Sequence, residues 1–247
     1  MEVHTHSHTS DPDSHQGRKK WTHYFWEFLM LFLAVFSGFL AENLREHIVE
    51  HRRAEQFARS LLGDLKADTA ALKTAIDYGD KKIKAIDSFL LQADLGPDKW
   101  NGTLVYRYAG IAGRVRPFEH NSGTYEQMKT SGSLRYFRQE LADLLNKYDV
   151  QAKKAAAREN IGLKIIDLLN PFQVQIMDSR SLIQIQDGMI PTHPLVFRKA
   201  DKETIAIWIN YAAIVQSTQQ RTLVEYNTMM IEANEIIQAL QKEYHLN

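Results

Sequence analysis

The sequence predicts an all-α protein in which a single N-terminal transmembrane helix continues into an antiparallel bundle of long helices. Three observations predict this class. A long uncharged apolar run lies near the N-terminus, and two later stretches repeat apolar residues with the 3-4 spacing of buried helix seams. Helix breakers are also scarce, with 12 Gly and 6 Pro among 247 residues, while helix-favouring residues are abundant.

The predicted transmembrane helix covers residues 21–41. Residues 28–41 carry no charge, and extension back to Trp21 gives a helix of about 30 Å, the thickness of the hydrocarbon layer. Trp21, Tyr24 and Trp26 lie where an interfacial aromatic belt is expected. A cleaved signal peptide is disfavoured because Phe39 is too large for the small-x-small cleavage pattern.

Two basic clusters flank this run and bear on its orientation. Residues 18–20 read Arg-Lys-Lys directly at the boundary, whereas the Arg residues of 42–56 are interleaved with Glu. The Lys/Arg counts are equal on the two sides, and the tighter N-terminal cluster favours an N-terminus inside and a main domain outside. A buried core helix fits these flanks less well.

The predicted domains are a disordered His-containing tail at 1–20, the transmembrane helix at 21–41 and a helical bundle at 42–247. Coiled-coil-like seams define the bundle, and they are predicted at Leu62, Leu65, Thr69, Leu72, Ile76, Gly79, Ile83, Ile86 and Leu90, and at Ile205, Ile209, Ala212, Gln216, Gln219, Leu223, Tyr226, Met230, Ala233, Ile237, Leu240 and Tyr244. These long helices predict an up-down-up arrangement with shorter segments in a fourth position.

Helix boundaries between these seams follow from capping residues. Thr124 with Gln127 predicts a capping box, and Gly132 predicts a left-handed helix end. Ser133 is expected to cap a long helix, residues 180–200 to form a connection, and Asp201 to start the last helix.

Composition excludes several classes of protein. Lys plus Arg equals Asp plus Glu at 30 each, which argues against a nucleic-acid binder because such a protein shows a basic excess. The absence of Cys excludes disulfides, thiolate nucleophiles and Cys-based metal sites. Neither a Gly-rich phosphate loop nor a G-x-S-x-G nucleophile elbow is present, so no catalytic residue is predicted.

One motif suggests a metal site. His47, Glu50 and His51 match the H-x-x-E-H pattern of inverted zinc proteases, in which two His on one helix face share a metal and Glu acts as the base. The same residues also read as a solvated, charge-paired stretch, and this reading is favoured because no third ligand stands out. The tail residues His4, His6, His8 and His15 add a possible weak zinc, nickel or copper site.

A second candidate region, for a partner or a ligand, surrounds the irregular segment 99–123. Arg114, Arg116, Arg135 and Arg138 could gather around an anion, and Tyr125 belongs to a concentration of aromatic residues there. Loops on rigid scaffolds often carry binding sites, whereas exposed Arg is also the common state of the residue.

The stretch 124–134 reads T-Y-x-x-M-x-x-S-G-x-L, and Tyr148 follows on the next helix. With the N-terminal run from Phe25 to His47, this pattern resembles a family of small bacterial single-pass membrane proteins of unknown function. The resemblance implies a bacterial inner membrane and the same topology, and it brings no activity, ligand or catalytic residue.

The sequence therefore favours a non-enzymatic, membrane-tethered helical module for interaction or sensing. Its expected partners are the lipid bilayer and either a protein partner or further copies of itself, with no nucleic acid. The alternatives are a metal-linked membrane protein using the His tail with His47 and His51, and a metallohydrolase built on the H-x-x-E-H motif.

Overall fold

The computed structural model describes residues 16–186, 189–192, 195–198 and 200–246. These residues form six α-helices, namely α1 Gln16–Ala93, α2 Gly102–Ala112, α3 Gly123–Ser131, α4 Gln139–Ile176, α5 Ser179–Gln186 and α6 Lys202–Tyr244. Two short 3-10 turns, Pro97–Lys99 and Ser133–Tyr136, and a bridge between Met177 and Phe197 complete the described secondary structure. The predicted all-α class is confirmed.

The chain divides into two compact units, one ending at Arg53 and one beginning at Ala54. In the first unit α1 begins at Gln16, so residues 16–20 of the predicted tail are helical, whereas residues 1–15 lie outside the described part. The apolar stretch that starts at Trp21 is long and apolar enough to cross a membrane, and none of it is buried.

The second unit is built on α1, α4 and α6, each of which turns a 3-4 seam inward. The seam of α4 is the most regular, and its buried and half-buried residues are Leu141, Leu145, Tyr148, Ala152, Ala155, Glu159, Gly162, Ile166, Leu169, Gln173 and Ile176. Such alternation keeps one stripe of a helix facing its neighbours over many turns. The bundle core therefore runs along the whole length of α4.

Two contacts set the direction of α4 relative to α1. The Tyr148 hydroxyl bonds to the Asp68 carboxylate, and further along both helices Ile86 and Ile166 share one cluster. Both pairs advance together, so α1 and α4 run in the same direction. The predicted up-down-up order of the three long helices is therefore wrong, because the segment between α1 and α4 already returns along the bundle.

The last helix runs in the opposite direction and comes very close to α1. Leu223 approaches Gly79, whereas Gln216, earlier in α6, bonds to Asp87, later in α1. A Cβ placed on Gly79 would lie 2.5 Å from Leu223 Cδ2 and 2.8 Å from Gln219 Nε2. Gly79 therefore permits a close approach, and a side chain at this position would require the Leu223 and Gln219 side chains to shift.

The observed seams differ from the predicted ones by one residue at alternate positions. In α1 the predicted Thr69, Ile76, Ile83 and Leu90 are only half-buried, and the buried positions are Asp68, Ala75, Lys82 and Phe89. In α6 the same rotation buries Trp208, Val215, Met229 and Ile236 in place of Ile209, Gln216, Met230 and Ile237. The buried stripe of α1 thus contains two charged residues, Asp68 and Lys82, and their burial is tolerated because both are hydrogen-bonded.

Residues 94–138 return along the bundle in the direction opposite to α1. As the chain advances from Arg114 to His120, its contacts on α1 move back from Lys82 to Asp68. This segment therefore fills the predicted fourth position, and it does so as α2, an extended stretch and α3 in place of one long helix.

Two predicted caps in this segment are wrong. Helix α3 begins at Gly123, with Ser122 as its cap, so Thr124 lies inside the helix. Ser133 starts a 3-10 turn, and extended backbone at Phe137 and Arg138 then separates it from α4, which begins only at Gln139, so Ser133 does not cap α4. The left-handed helix end at Gly132, with φ +68°, is confirmed.

Residues 180–200 are not only a connection, since α5 occupies their first part. Beyond it, the described residues 195–198 pack back on the bundle, where the Arg198 amide donates to the Ile176 carbonyl at 2.8 Å. The predicted start of the last helix is confirmed, because the Asp201 carboxylate accepts from the Thr204 amide at 2.7 Å.

Candidate functional site

Three polar side chains of the long helices hold the extended stretch 113–122, here called the clamped segment. Lys82 Nζ donates to the Arg114 carbonyl at 2.6 Å, and Asp68 Oδ1 accepts from the Asn121 amide at 2.9 Å. Between them, Glu159 Oε1 accepts from the Phe118 amide at 3.1 Å. Main-chain groups that lack helix or sheet partners need such acceptors and donors when they are covered.

The Asp68 carboxylate is the most extensively bonded of these groups. It is completely buried, and besides the two bonds from Asn121 it accepts from His120 Nδ1 at 2.7 Å and the Tyr148 hydroxyl at 2.8 Å. Burial alone would raise the pKa of this carboxyl, but the bonds from His120, Asn121 and Tyr148 outweigh burial and lower the pKa below its ordinary value. Burial and the neighbouring Asp68 charge raise the pKa of Tyr148.

An Asp that orients a His is a frequent arrangement in catalytic sites. Here, however, His120 Nε2 is buried and finds no hydrogen-bond partner in the described structure, so a substrate would have no access to it. The chemistry that this cluster can perform in this conformation is to fix the clamped segment on α1 and α4.

Lys82 and Glu159 surround a small cavity about three to four helical turns away from the Asp68 cluster. Lys82 is 2% exposed, and burial lowers its pKa from 10.5 to about 8. Glu159 accepts a very short bond from the Tyr226 hydroxyl, and burial followed by this bond raises the pKa of Tyr226. The cavity measures about 30 Å³, which accommodates a water-sized species.

A larger, open groove lies along α2, and we call it the α2 groove. Its volume is about 630 Å³, within the usual range of ligand and peptide sites. Its lining is mostly apolar with two cationic side chains, and consists of Thr103, Arg107, Gly110, Ile111, Arg114, Ile185, Met189, Ile190, Pro191 and Leu195.

Two anchors place the far wall of the α2 groove. The Tyr106 hydroxyl donates to the Val196 carbonyl at 2.7 Å and accepts from the Asp178 amide at 2.7 Å. The Phe197 ring packs against Tyr106 and Trp100, with ring centroids 5.6 and 5.2 Å apart. On this fixed wall Ile190 is 89% exposed, an unusual state for a large apolar side chain beside a groove.

The residues of the H-x-x-E-H motif all lie in the first unit. His47 and His51 are exposed and Glu50 is half-buried on one stretch of α1. Among the described residues, no group of three His, Asp or Glu side chains could hold a metal ion. The tail His residues lie outside the described ranges, so the metal site stays a prediction.

The predicted Arg and Tyr residues lie at different places on the second unit. Arg114 lines the α2 groove and Arg116 lines the Lys82 cavity. Tyr125 is buried under Lys129, whose ammonium lies 4.7 Å from the ring centroid. Two further predicted residues sit at the start of α4, where the Arg135 guanidinium covers the Tyr136 ring and Arg138 lies 3.5 Å from Glu140.

The sequence analysis missed the polar residues that organise this region, namely the buried Asp68 and Lys82 and the half-buried His120 and Glu159. A signal was present, because Asp68 and Lys82 stand two heptads apart, beside the apolar positions of the α1 seam. Charged residues at such positions normally point to solvent, and only the path of the clamped segment explains their burial.

Comparison with protein families, with curated proteins and with solved structures gave no match to this chain.

Proposed function

We propose that this chain is a membrane-tethered, non-enzymatic helical module that binds a partner protein through the α2 groove. The observation that carries this proposal is the groove itself, an open and mostly apolar site of about 630 Å³ on a rigid scaffold. One of its walls, from Thr103 to Arg114, belongs to the segment in which the sequence analysis expected a binding site.

The chemistry of the lining defines the partner. Met189 and Ile190 offer exposed apolar surface, and Arg107 and Arg114 place two positive charges on the same groove. A complementary segment carries apolar side chains flanked by Asp or Glu, because Arg pairs with carboxylates through charge-assisted hydrogen bonds. We therefore expect an apolar and acidic peptide segment of another protein.

The polar clusters support a binding role over an enzymatic one. Asp68, Lys82 and Glu159 each hydrogen-bond the main chain of the clamped segment, and these bonds hold it on the scaffold that carries the α2 groove. The membrane tether is supported by the exposed apolar stretch of α1. The basic cluster at 18–20 and the resemblance of the N-terminal run support a bacterial inner membrane with the N-terminus in the cytoplasm.

The groove is tested by photo-cross-linking in native membranes. A photoreactive amino acid is placed at Ile190, and in a control chain at Val224, which is 64% exposed on α6. We expect a discrete adduct from position 190 only, and mass spectrometry should locate it in an apolar segment with acidic residues. The adduct should be lost in Arg107→Glu and kept in Lys154→Glu, a charge reversal on the exposed face of α4.

Three results would contradict the proposal. Equal adducts from positions 190 and 224 would show nonspecific contact. An adduct that persists in Arg107→Glu would show that the positive charge of Arg107 is not needed for partner binding. An adduct to a second copy of this chain would assign the groove to self-association. The tether and its orientation are tested separately, with an export-dependent reporter fused to Asn247, which we expect to be active, and a cytoplasm-dependent reporter, which we expect to be silent.

A further inference from the structure

Lys82 is a buried cation that lacks a counter-charge. Its ammonium can donate three hydrogen bonds, and the one it makes goes to a neutral acceptor, the Arg114 carbonyl, at 2.6 Å. No described acidic side chain forms an ion pair with it, and burial is the one cause of its lowered pKa. Uncompensated buried charges are costly, so such a group usually coordinates something of opposite charge.

The cavity beside Lys82 supplies the space for that counter-charge. It is about 30 Å³ and is lined by polar and apolar side chains of α1, α4, α6 and the clamped segment. Its charged members are Lys82, Arg116 and Glu159, so the lining carries one net positive charge. Glu159 is already engaged, because it accepts bonds from the Phe118 amide and the Tyr226 hydroxyl.

The remaining polar lining consists of neutral hydrogen-bonding groups. Gln219 carries an amide on the wall of α6, whereas the Thr218 and Thr222 hydroxyls donate to the Ile214 and Thr218 carbonyls and have no further proton to donate. The donors available to a small anion are therefore the Gln219 amide and the two cations, Lys82 and Arg116. A polyatomic ligand of any length would not fit a space of this size.

We propose that the Lys82 cavity binds one small monovalent anion of halide size. One such ion neutralises the net charge of the lining and satisfies the ammonium donors that point away from Arg114. The site is separate from the α2 groove and does not depend on the proposed function. The two are linked through the backbone, since Lys82 holds the carbonyl of Arg114, a residue that lines the groove.

The site is tested with the full chain in detergent micelles. Thermal unfolding is followed while sodium bromide or chloride replaces sodium gluconate at constant ionic strength. We expect Tm to rise saturably, by about 3–6 °C at a tenfold excess over Kd. Lys82→Met should abolish the rise, and Lys81→Met, which alters the exposed neighbour on α1, should preserve it.

A halide response of the same size in wild type and Lys82→Met, or no response in wild type, would overturn the proposal. Because Lys82→Met could fail to fold, wild-type crystals grown in bromide provide a second measurement. An anomalous bromide peak beside Lys82 Nζ is expected. Its absence at a bromide concentration that saturates the Tm response, or peaks at the protein surface only, would also overturn the proposal.

Discussion

Replacement of Asp68 by Asn removes the charge at the centre of the clamp with little change in shape. The single carbonyl oxygen of Asn can keep the two bonds from Asn121, but its amide group then faces His120 and the Tyr148 hydroxyl. All four bonds to the carboxylate lose their charge assistance, and the Tyr148 hydroxyl and His120 Nδ1 must change from donors to acceptors; a bond to a charged group is worth about 1 kcal/mol more than a neutral one. We therefore expect the free energy of unfolding to fall by about 2–5 kcal/mol.

The assay is urea unfolding of the detergent-solubilised chain, followed by circular dichroism at neutral pH. Tyr148→Phe is the graded control, because it removes one donor and leaves Asp68 with its other bonds, so a smaller loss of about 1 kcal/mol is expected. Asp77→Asn is the matched surface control on the same helix, where Asp77 is exposed, and it should change stability by less than about 0.5 kcal/mol.

The pH dependence gives an independent check. The folded state lowers the pKa of the Asp68 carboxyl below its ordinary 3.8, so its stabilisation is present above that value and is lost as pH falls through the folded pKa. The difference in unfolding free energy between wild type and Asp68→Asn should therefore be full near neutral pH and shrink in acid. A loss for Asp68→Asn that is no larger than for Asp77→Asn would refute the reasoning.

Three further predictions concern other parts of the chain. Gly63→Ala should stabilise the chain by about 0.5–1 kcal/mol, because a Cβ at this position of α1 meets no neighbouring atom. Gly79→Ala should give a chain about 1–3 kcal/mol less stable than Gly63→Ala, because a Cβ at position 79 would meet the Leu223 side chain. Urea unfolding of both variants measures the difference. In halide-free buffer, the unfolding free energy of wild type should rise relative to that of Lys82→Met between pH 8 and 10.5, by at most about 3 kcal/mol. The reason is that in this pH range the unfolded chain keeps the Lys82 proton and the folded chain has released it. Equal changes of unfolding free energy with pH in the two proteins would contradict this prediction. Zinc calorimetry should show at most weak binding that His47→Ala reduces, since two His on one helix face give only two ligands, and submicromolar affinity would contradict this.

Much of the fold was predictable because helix periodicity is a local property. The apolar stretch from Trp21, the left-handed end at Gly132 and the Asp201 cap depend on neighbouring residues, and these features appear in the structure where they were predicted. The seams of α1 and α6 were predicted to within one residue, because apolar side chains also occupy half-buried positions next to the fully buried ones. The Ser133 cap is wrong because extended backbone at Phe137 and Arg138 separates Ser133 from α4, and the Phe137 side chain there is buried in the core.

The candidate site was less predictable because it depends on what the long connection covers. Residues 99–123 were expected to hold a binding region, and one wall of the α2 groove comes from them. The far wall comes from residues distant in sequence, namely Ile185, Met189, Ile190, Pro191 and Leu195. Lys82 and Asp68 read as surface charges until the clamped segment is placed over them.

The sequence by itself determined the helical class, the apolar N-terminal stretch and the approximate faces of the long helices, because composition and 3.6-residue periodicity act within each helix. Only the tertiary structure decided the exact rotation of each seam, the direction of the 94–138 return and the burial of Asp68 and Lys82. Those features arise from contacts between residues far apart in the chain, where an unpaired main-chain group on one segment finds its partner on another.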